Sequence, residues 1–116
     1  GAQWVCSVTY INTGITIGTG QNNTTTIVNI CSSTGIAARI CDDLVSGGYN
    51  DWYLPSYDEL QKLYNSRTAI GGFSSGSYWC SSQQSTTTAY SKSFSTGTVT
   101  ISNKTTSMYV RAIRSF

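Results

Sequence analysis

Apolar and polar positions change their spacing along this chain, and each change predicts an element. Residues 3–11, QWVCSVTYI, alternate loosely and read as a strand. The Gly- and Asn-rich stretch after it, NTGITIGTGQNN, reads as turn or loop, with a short strand at Ile15–Ile17. Residues 23–31, NTTTIVNIC, read as a short helix capped by Asn23, although a β-branched run disfavours helix. Ile36, Ile40 and Leu44 then recur at i, i+4 and i+8, with Ala37 and Cys41 beside them. This is the apolar stripe of a helix that Gly47 and Gly48 end. In LPSYDELQKLYNSR, Ser56 and Glu59 form an S-x-x-E capping box, and Leu60, Leu63 and Tyr64 give the helix its inward face. Asp58 and Glu59 stand at the positive end of the helix dipole, Lys62 and Arg67 toward the negative end.

From Gly71 the period falls to two. SYWCSS, AYSKSF, TVTI and MYVRAIRSF read as short strands, with turns at Ser95–Gly97 and Ser102–Ser107. Strand, helices, then antiparallel strands, with no βαβ repeat, predict an α+β class with two firm helices and a mainly antiparallel, irregular sheet. The length suits a single domain, 1–116.

Composition sharpens one region. Residues 81–107 hold eight Ser and eight Thr in 27 positions. Only 10% of the chain is charged, so its surface is built of neutral polar groups. All five acids lie between Asp42 and Glu59, and six bases follow Leu60 with no acid among them. That imbalance gives a weakly basic C-terminal half. No dense Lys/Arg stripe marks a nucleic-acid site, and no apolar run is long enough for membrane insertion. The four cysteines, Cys6, Cys31, Cys41 and Cys80, include no C-x-x-C pair, and the chain has no histidine. One or two disulfides and buried free thiols both fit, with Cys41 and Cys80 on apolar faces that favour burial.

Catalytic patterns fail on chemistry. Gly72-Phe73-Ser74-Ser75-Gly76 matches G-x-S-x-G, but no histidine exists to take the serine's proton. The carboxylates are explained by capping and turns: Asp51, after Asn50, is expected to bond local backbone, with a calcium site there as the alternative. The expectation is therefore no catalytic residue, no metal site, no cofactor and no enzyme activity.

GGYNDWYLPSYDELQKLY, then IGGF, YWCSSQ and a terminal VRAIRSF occur in this order. Together they resemble the C-terminal domain of collagen-like adhesins of bacteria and phage, over about residues 17–116. The resemblance implies a C-type-lectin-like fold of the formylglycine-generating-enzyme type, at the end of a longer displayed protein. The enzyme of that fold uses a cysteine pair, whereas here only Cys80 lies in the C-terminal half. A subset of the family are the variable proteins of diversity-generating retroelements, whose final stretch is rewritten at template adenines. By that resemblance the diversified, ligand-binding positions are Thr86, Thr87, Tyr90, Ser91, Ser93, Thr98, Thr100, Ile101, Ser107 and Tyr109. Trp79, Phe94, Arg111 and Arg114 are their structural support. The implied function is binding a protein or glycan receptor on a cell surface, from a phage tail fibre tip or a bacterial surface or pilus adhesin. The implied location is extracellular, on the cell surface or virion, with a homo-oligomer (trimer) open for the parent protein. A second reading uses Lys92, Lys104, Arg111 and Arg114 to hold anionic, sulfated polysaccharide.

Overall fold

The computed structural model describes residues 2–4, 13–31 and 33–114. In chain order the elements are α1 (Gly20–Ile30), α2 (Ala37–Asp42), α3 (Tyr57–Asn65), α4 (Arg67–Ile70), β1 (Ser77–Gln83), β2 (Thr88–Ser93) and β3 (Val99–Asn103). The three strands form one antiparallel sheet in the order β1-β2-β3. The α+β class is thus observed, with four helices among the described residues where two were expected.

The sheet is packed on both faces. Trp79 and Ala89 point from one face into a core completed by Ile27 of α1, Ala37, Ala38 and Cys41 of α2, and Leu54. Their strand neighbours Tyr78, Cys80 and Phe94 point the other way, against Leu60, Leu63 and Tyr64 of α3. The second layer is aromatic: Phe94 lies 4.6 Å from Tyr78, 4.9 Å from Phe73 and 5.4 Å from Tyr64, centroid to centroid.

α1 forms despite its threonines because their hydroxyls are used internally. Thr24, Thr25 and Thr26 donate to the carbonyls of Gly20, Gln21 and Asn22 at 2.8, 3.1 and 2.9 Å. Asn23 does not cap this helix, which begins three residues earlier. Its amide instead clasps Gly14, accepting from the N–H and donating to the carbonyl at 2.8 Å each. The capping box at α3 is present in both directions. Glu59 accepts from the Ser56 N–H at 2.8 Å, and its other oxygen takes the Gly18 N–H at 3.0 Å. α1 approaches this box closely at Gly20. A Cβ there would collide with Glu59 Oε1 and come within 2.9 Å of the Leu54 carbonyl and the Ser56 nitrogen.

Three expectations are corrected. Residues 15–17 are not a strand; the Ile15 carbonyl accepts from the Asp58 N–H, fastening the loop to α3. Of the Ile36–Ile40–Leu44 stripe only Ile36 enters the core. α2 is only six residues long, it buries Ala37, Ala38 and Cys41, and it leaves Ile40 exposed. The C-terminal segment is not a strand but a run held by isolated bridges, Met108 to Ala2, Tyr109 to Tyr78 and Ile113 to Tyr53. The strand expected at residues 3–11 falls largely outside the described residues.

Candidate functional site

The hydroxyl-rich region divides into two populations. Ser81 and Ser82 lie at a bulge, where the register with β2 slips between Trp79 and Gln83. Both are completely buried. The Ser81 N–H donates to the Pro55 carbonyl at 2.7 Å, and its hydroxyl accepts from Asn23 at 3.1 Å. Ser82 donates to the Gly14 carbonyl at 2.7 Å and accepts from the Tyr57 N–H at 3.0 Å. The bulge therefore aims two serines at two loops, α1 and the start of α3.

The second population is exposed. Thr86 and Thr87 occupy the β1–β2 turn; Thr98, Thr100 and Ile101 lie on or beside β3; Ser107 and Tyr109 lie on the C-terminal segment. Tyr90 and Ser93 are half-buried. β3 is an outer strand that packs extensively on β2 alone, so both of its sides reach solvent. The proposed contact residues accordingly do not share one flat face. Tyr90 pairs with Ile101 on the α3 side, whereas Ser93, Thr98 and Thr100 point to the opposite side. Ser107 and Tyr109 stand apart from both: Tyr109 bridges to Tyr78 of β1, at the side of the sheet opposite β3.

Ser91 does not belong to that surface. β2 is the central strand, both its faces are covered, and Ser91 is buried. Its hydroxyl donates to the Thr100 carbonyl and shares a hydrogen bond with Ser102, each at 3.2 Å. Alternation along β2 separates Ala89, Ser91 and Ser93 from Tyr90, Lys92 and Phe94, as the pattern predicts. It does not reveal that both sets have neighbours above them.

Two rings are preset on the exposed side. Tyr109 stacks on Tyr78 with centroids 5.4 Å apart and passes over Gly76, where any Cβ would strike its ring. Tyr90 meets Tyr57 edge to face at 5.0 Å. The proposed supports lie beneath or beside them. Trp79 is fully buried, and its indole N–H donates to the Ala2 carbonyl at 2.9 Å. Phe94 centres the aromatic layer. Arg111 covers the Phe73 ring at 4.5 Å. Arg114 joins both oxygens of Asp51 at 2.6 and 3.0 Å and stacks on Tyr49 at 3.5 Å. Asp51 thus bonds a residue 63 positions away as well as its own backbone, the expected local bond being the lesser of the two. Its carboxyl is held below the usual range, first by the Arg114 hydrogen bond.

The four cations of the polysaccharide reading are not one exposed cluster. Lys104 is 1% exposed; it donates to Gln83 at 2.6 Å and lies 4.6 Å from the Trp4 ring. Desolvation pulls its pKa down to about 8. Lys92 is 3% exposed and donates to the Gly97 carbonyl at 2.7 Å; burial lowers its pKa too.

Of the cysteines, Cys31 is disulfide-bonded, and Cys41 and Cys80 are free and buried. Desolvation pushes both free thiols up to about 12. They are packing groups and poor nucleophiles at neutral pH. Among the described residues no cluster of Cys, Asp or Glu could hold a metal ion, and no helix is long and apolar enough to cross a membrane.

Fold and surface together define an α+β domain whose rigid, doubly packed sheet presents a hydroxyl- and tyrosine-rich surface. Residues 3–114 match the model of the Lcl C-terminal domain, and the chain belongs to that family. Membership carries the coarser functional statement, an adhesin-type C-terminal domain. No curated protein matches the chain.

Proposed function

We propose that this is a ligand- or receptor-binding display domain that acts by binding, without bond chemistry. Its contact surface is spread over the sheet and its turns: Thr86, Thr87, Tyr90, Ser93, Thr98, Thr100 and Ile101 from the β1–β2 turn to β3, with Ser107 and Tyr109 beside β1. One observation carries the reading: these side chains are wholly or partly exposed, while the hydroxyls beneath them, Ser81, Ser82 and Ser91, are buried and hydrogen-bonded. Apart from Tyr90, packed against the Leu60–Phe94 cluster, and Tyr109, stacked on Tyr78, these side chains neither fill the core nor pair charge, so their exchange costs the fold little. A stiff layer under it keeps the ordering cost of binding low. Tyr and Ser supply flat amphipathic area and adaptable hydrogen bonds, as in antibody loops. Such a surface suits a protein or glycan receptor met outside the cell, at a phage fibre tip or a bacterial adhesin or pilus. The C-type-lectin-like fold and retroelement-driven diversification belong to this proposal, on the strength of the resemblance.

The test is binding of a fluorescent, multimerised domain to bacterial and animal cells and to a glycan array. Simultaneous Thr98→Ala, Thr100→Ala, Ile101→Ala and Tyr109→Ala should abolish capture while leaving the melting temperature nearly unchanged. Binding should persist at half-molar salt, where the screening length is about 4 Å. Capture unaffected by the four substitutions would overturn the proposal. Capture that collapses with salt would instead favour the anionic polysaccharide.

A further inference from the structure

α2, α3, α4 and the C-terminal segment enclose an open groove of about 970 Å³. Ile40, Leu44, Leu63 and Ile70 line it from the helices and Val110 and Ala112 from the C-terminal segment. Ile40 and Ile70 are 44% and 46% exposed there, and the residues together make one contiguous apolar patch. Ligand-sized clefts in proteins run from roughly 300 to 1,000 Å³, so this one is large enough for several side chains.

Two further features narrow the occupant. The first is the main chain. Five successive residues, Val110 to Arg114, border the groove. Between the bridges at Tyr109 and Ile113, the backbone N–H and C=O groups of Val110, Arg111 and Ala112 make no hydrogen bond among the described residues. The second is charge. Lys62, Arg111 and Arg114 stand at the groove, and the only acid there, Glu59, is buried with its oxygens on the Ser56 and Gly18 N–H groups. Arg114 is neutralised by Asp51, which leaves Lys62 and Arg111 without a carboxylate.

We infer that the groove binds an extended peptide of a partner protein, one that alternates apolar and acidic residues. Its backbone adds alongside Val110–Ala112, its apolar side chains enter between Ile40 and Leu63, and its carboxylates meet Lys62 and Arg111. Main-chain pairing supplies affinity in this mode and the side-chain pockets supply selectivity. The site is independent of the β3 edge, and either could exist without the other.

The experiment is selection of a random nonapeptide phage library on the immobilised domain, with Ile40→Glu as counter-selecting bait. Ile40 is exposed, so this variant should keep its circular-dichroism spectrum and melt within a few degrees of wild type. Enriched peptides should carry Asp or Glu between apolar residues and bind Ile40→Glu at least tenfold more weakly. Lys62→Glu should weaken them to a similar extent. N-methylation of their central amides should do the same. Peptides insensitive to these changes, basic peptides, or no enrichment over the variant would overturn the inference. So would concentration-dependent dimerisation of the peptide-free domain in analytical ultracentrifugation that Ile40→Glu abolishes, because the groove would then be filled by a second copy.

Discussion

Removing the Ser82 hydroxyl tests whether buried and exposed hydroxyls of this domain differ as described. Ser82 has no solvent exposure, and its oxygen both donates to the Gly14 carbonyl and accepts from the Tyr57 N–H. Ser82→Ala leaves the Tyr57 N–H without its acceptor, while the Gly14 carbonyl keeps the Asn23 amide at 2.8 Å. One unsatisfied buried group costs about 1–3 kcal/mol. A domain of this size shifts its melting temperature by about 4 °C per kcal/mol, which predicts a fall of about 4–12 °C. Thr100→Ala, on the exposed side of β3, should stay within about 0.5 kcal/mol, or about 2 °C. Thermal unfolding followed by circular dichroism measures both. A Ser82→Ala shift no larger than that of Thr100→Ala would refute the division of the hydroxyl residues into scaffold and surface.

Gly20→Ala should cost at least about 2 kcal/mol despite alanine's better helix propensity, because the added methyl meets main-chain atoms of Leu54 and Ser56 as well as Glu59; urea unfolding checks this. Stability should depend on pH through Lys104. Its pKa is about 8 in the fold against about 10.5 unfolded, so between those values the unfolded chain binds more protons and folding strengthens as pH rises. The stability difference between wild type and Lys104→Met should therefore move in favour of wild type from pH 7.5 to 8.5. A difference constant with pH would contradict the desolvation of Lys104. Cys41 and Cys80 should ignore Ellman's reagent in the native domain and both react at once in denaturant; fast native reaction would contradict their burial.

The elements with local chemistry were legible in the sequence. The S-x-x-E box at Ser56–Glu59, three of the four expected period-two strands and the turn at Ser95–Gly97 each depend on neighbours within a few residues. What depends on distant partners was not. Nothing local says that the hydroxyls of Thr24–Thr26 would bond back along α1, or that Asn23 would hold Gly14 instead of a helix end. Ile40 completes a good helical stripe, yet a six-residue helix carrying Ala37, Ala38 and Cys41 turns those smaller residues inward and leaves Ile40 on a groove. Lys92 and Lys104 read as surface charges because lysine is so rarely buried; the rings of Tyr64 and Trp4 that cover them are remote in sequence. Ser91 and Ser93 are alike in sequence, and only the covering of the central strand separates them. The motif pieces that carry the family resemblance are also the pieces that meet: Tyr53 pairs with Ile113, Asp51 with Arg114, and Ser81 with Pro55.

The most direct measurement compares two libraries displayed on yeast and challenged with protease. One randomises Thr86, Thr87, Ser93, Thr98, Thr100, Ile101 and Ser107 together; the other randomises only Ser81, Ser82 and Ser91. If the exposed positions are exchangeable on a fixed scaffold, most clones of the seven-position library survive at wild-type protease levels, and few of the three-position library do. Equal survival, or loss of the seven-position clones, would contradict it.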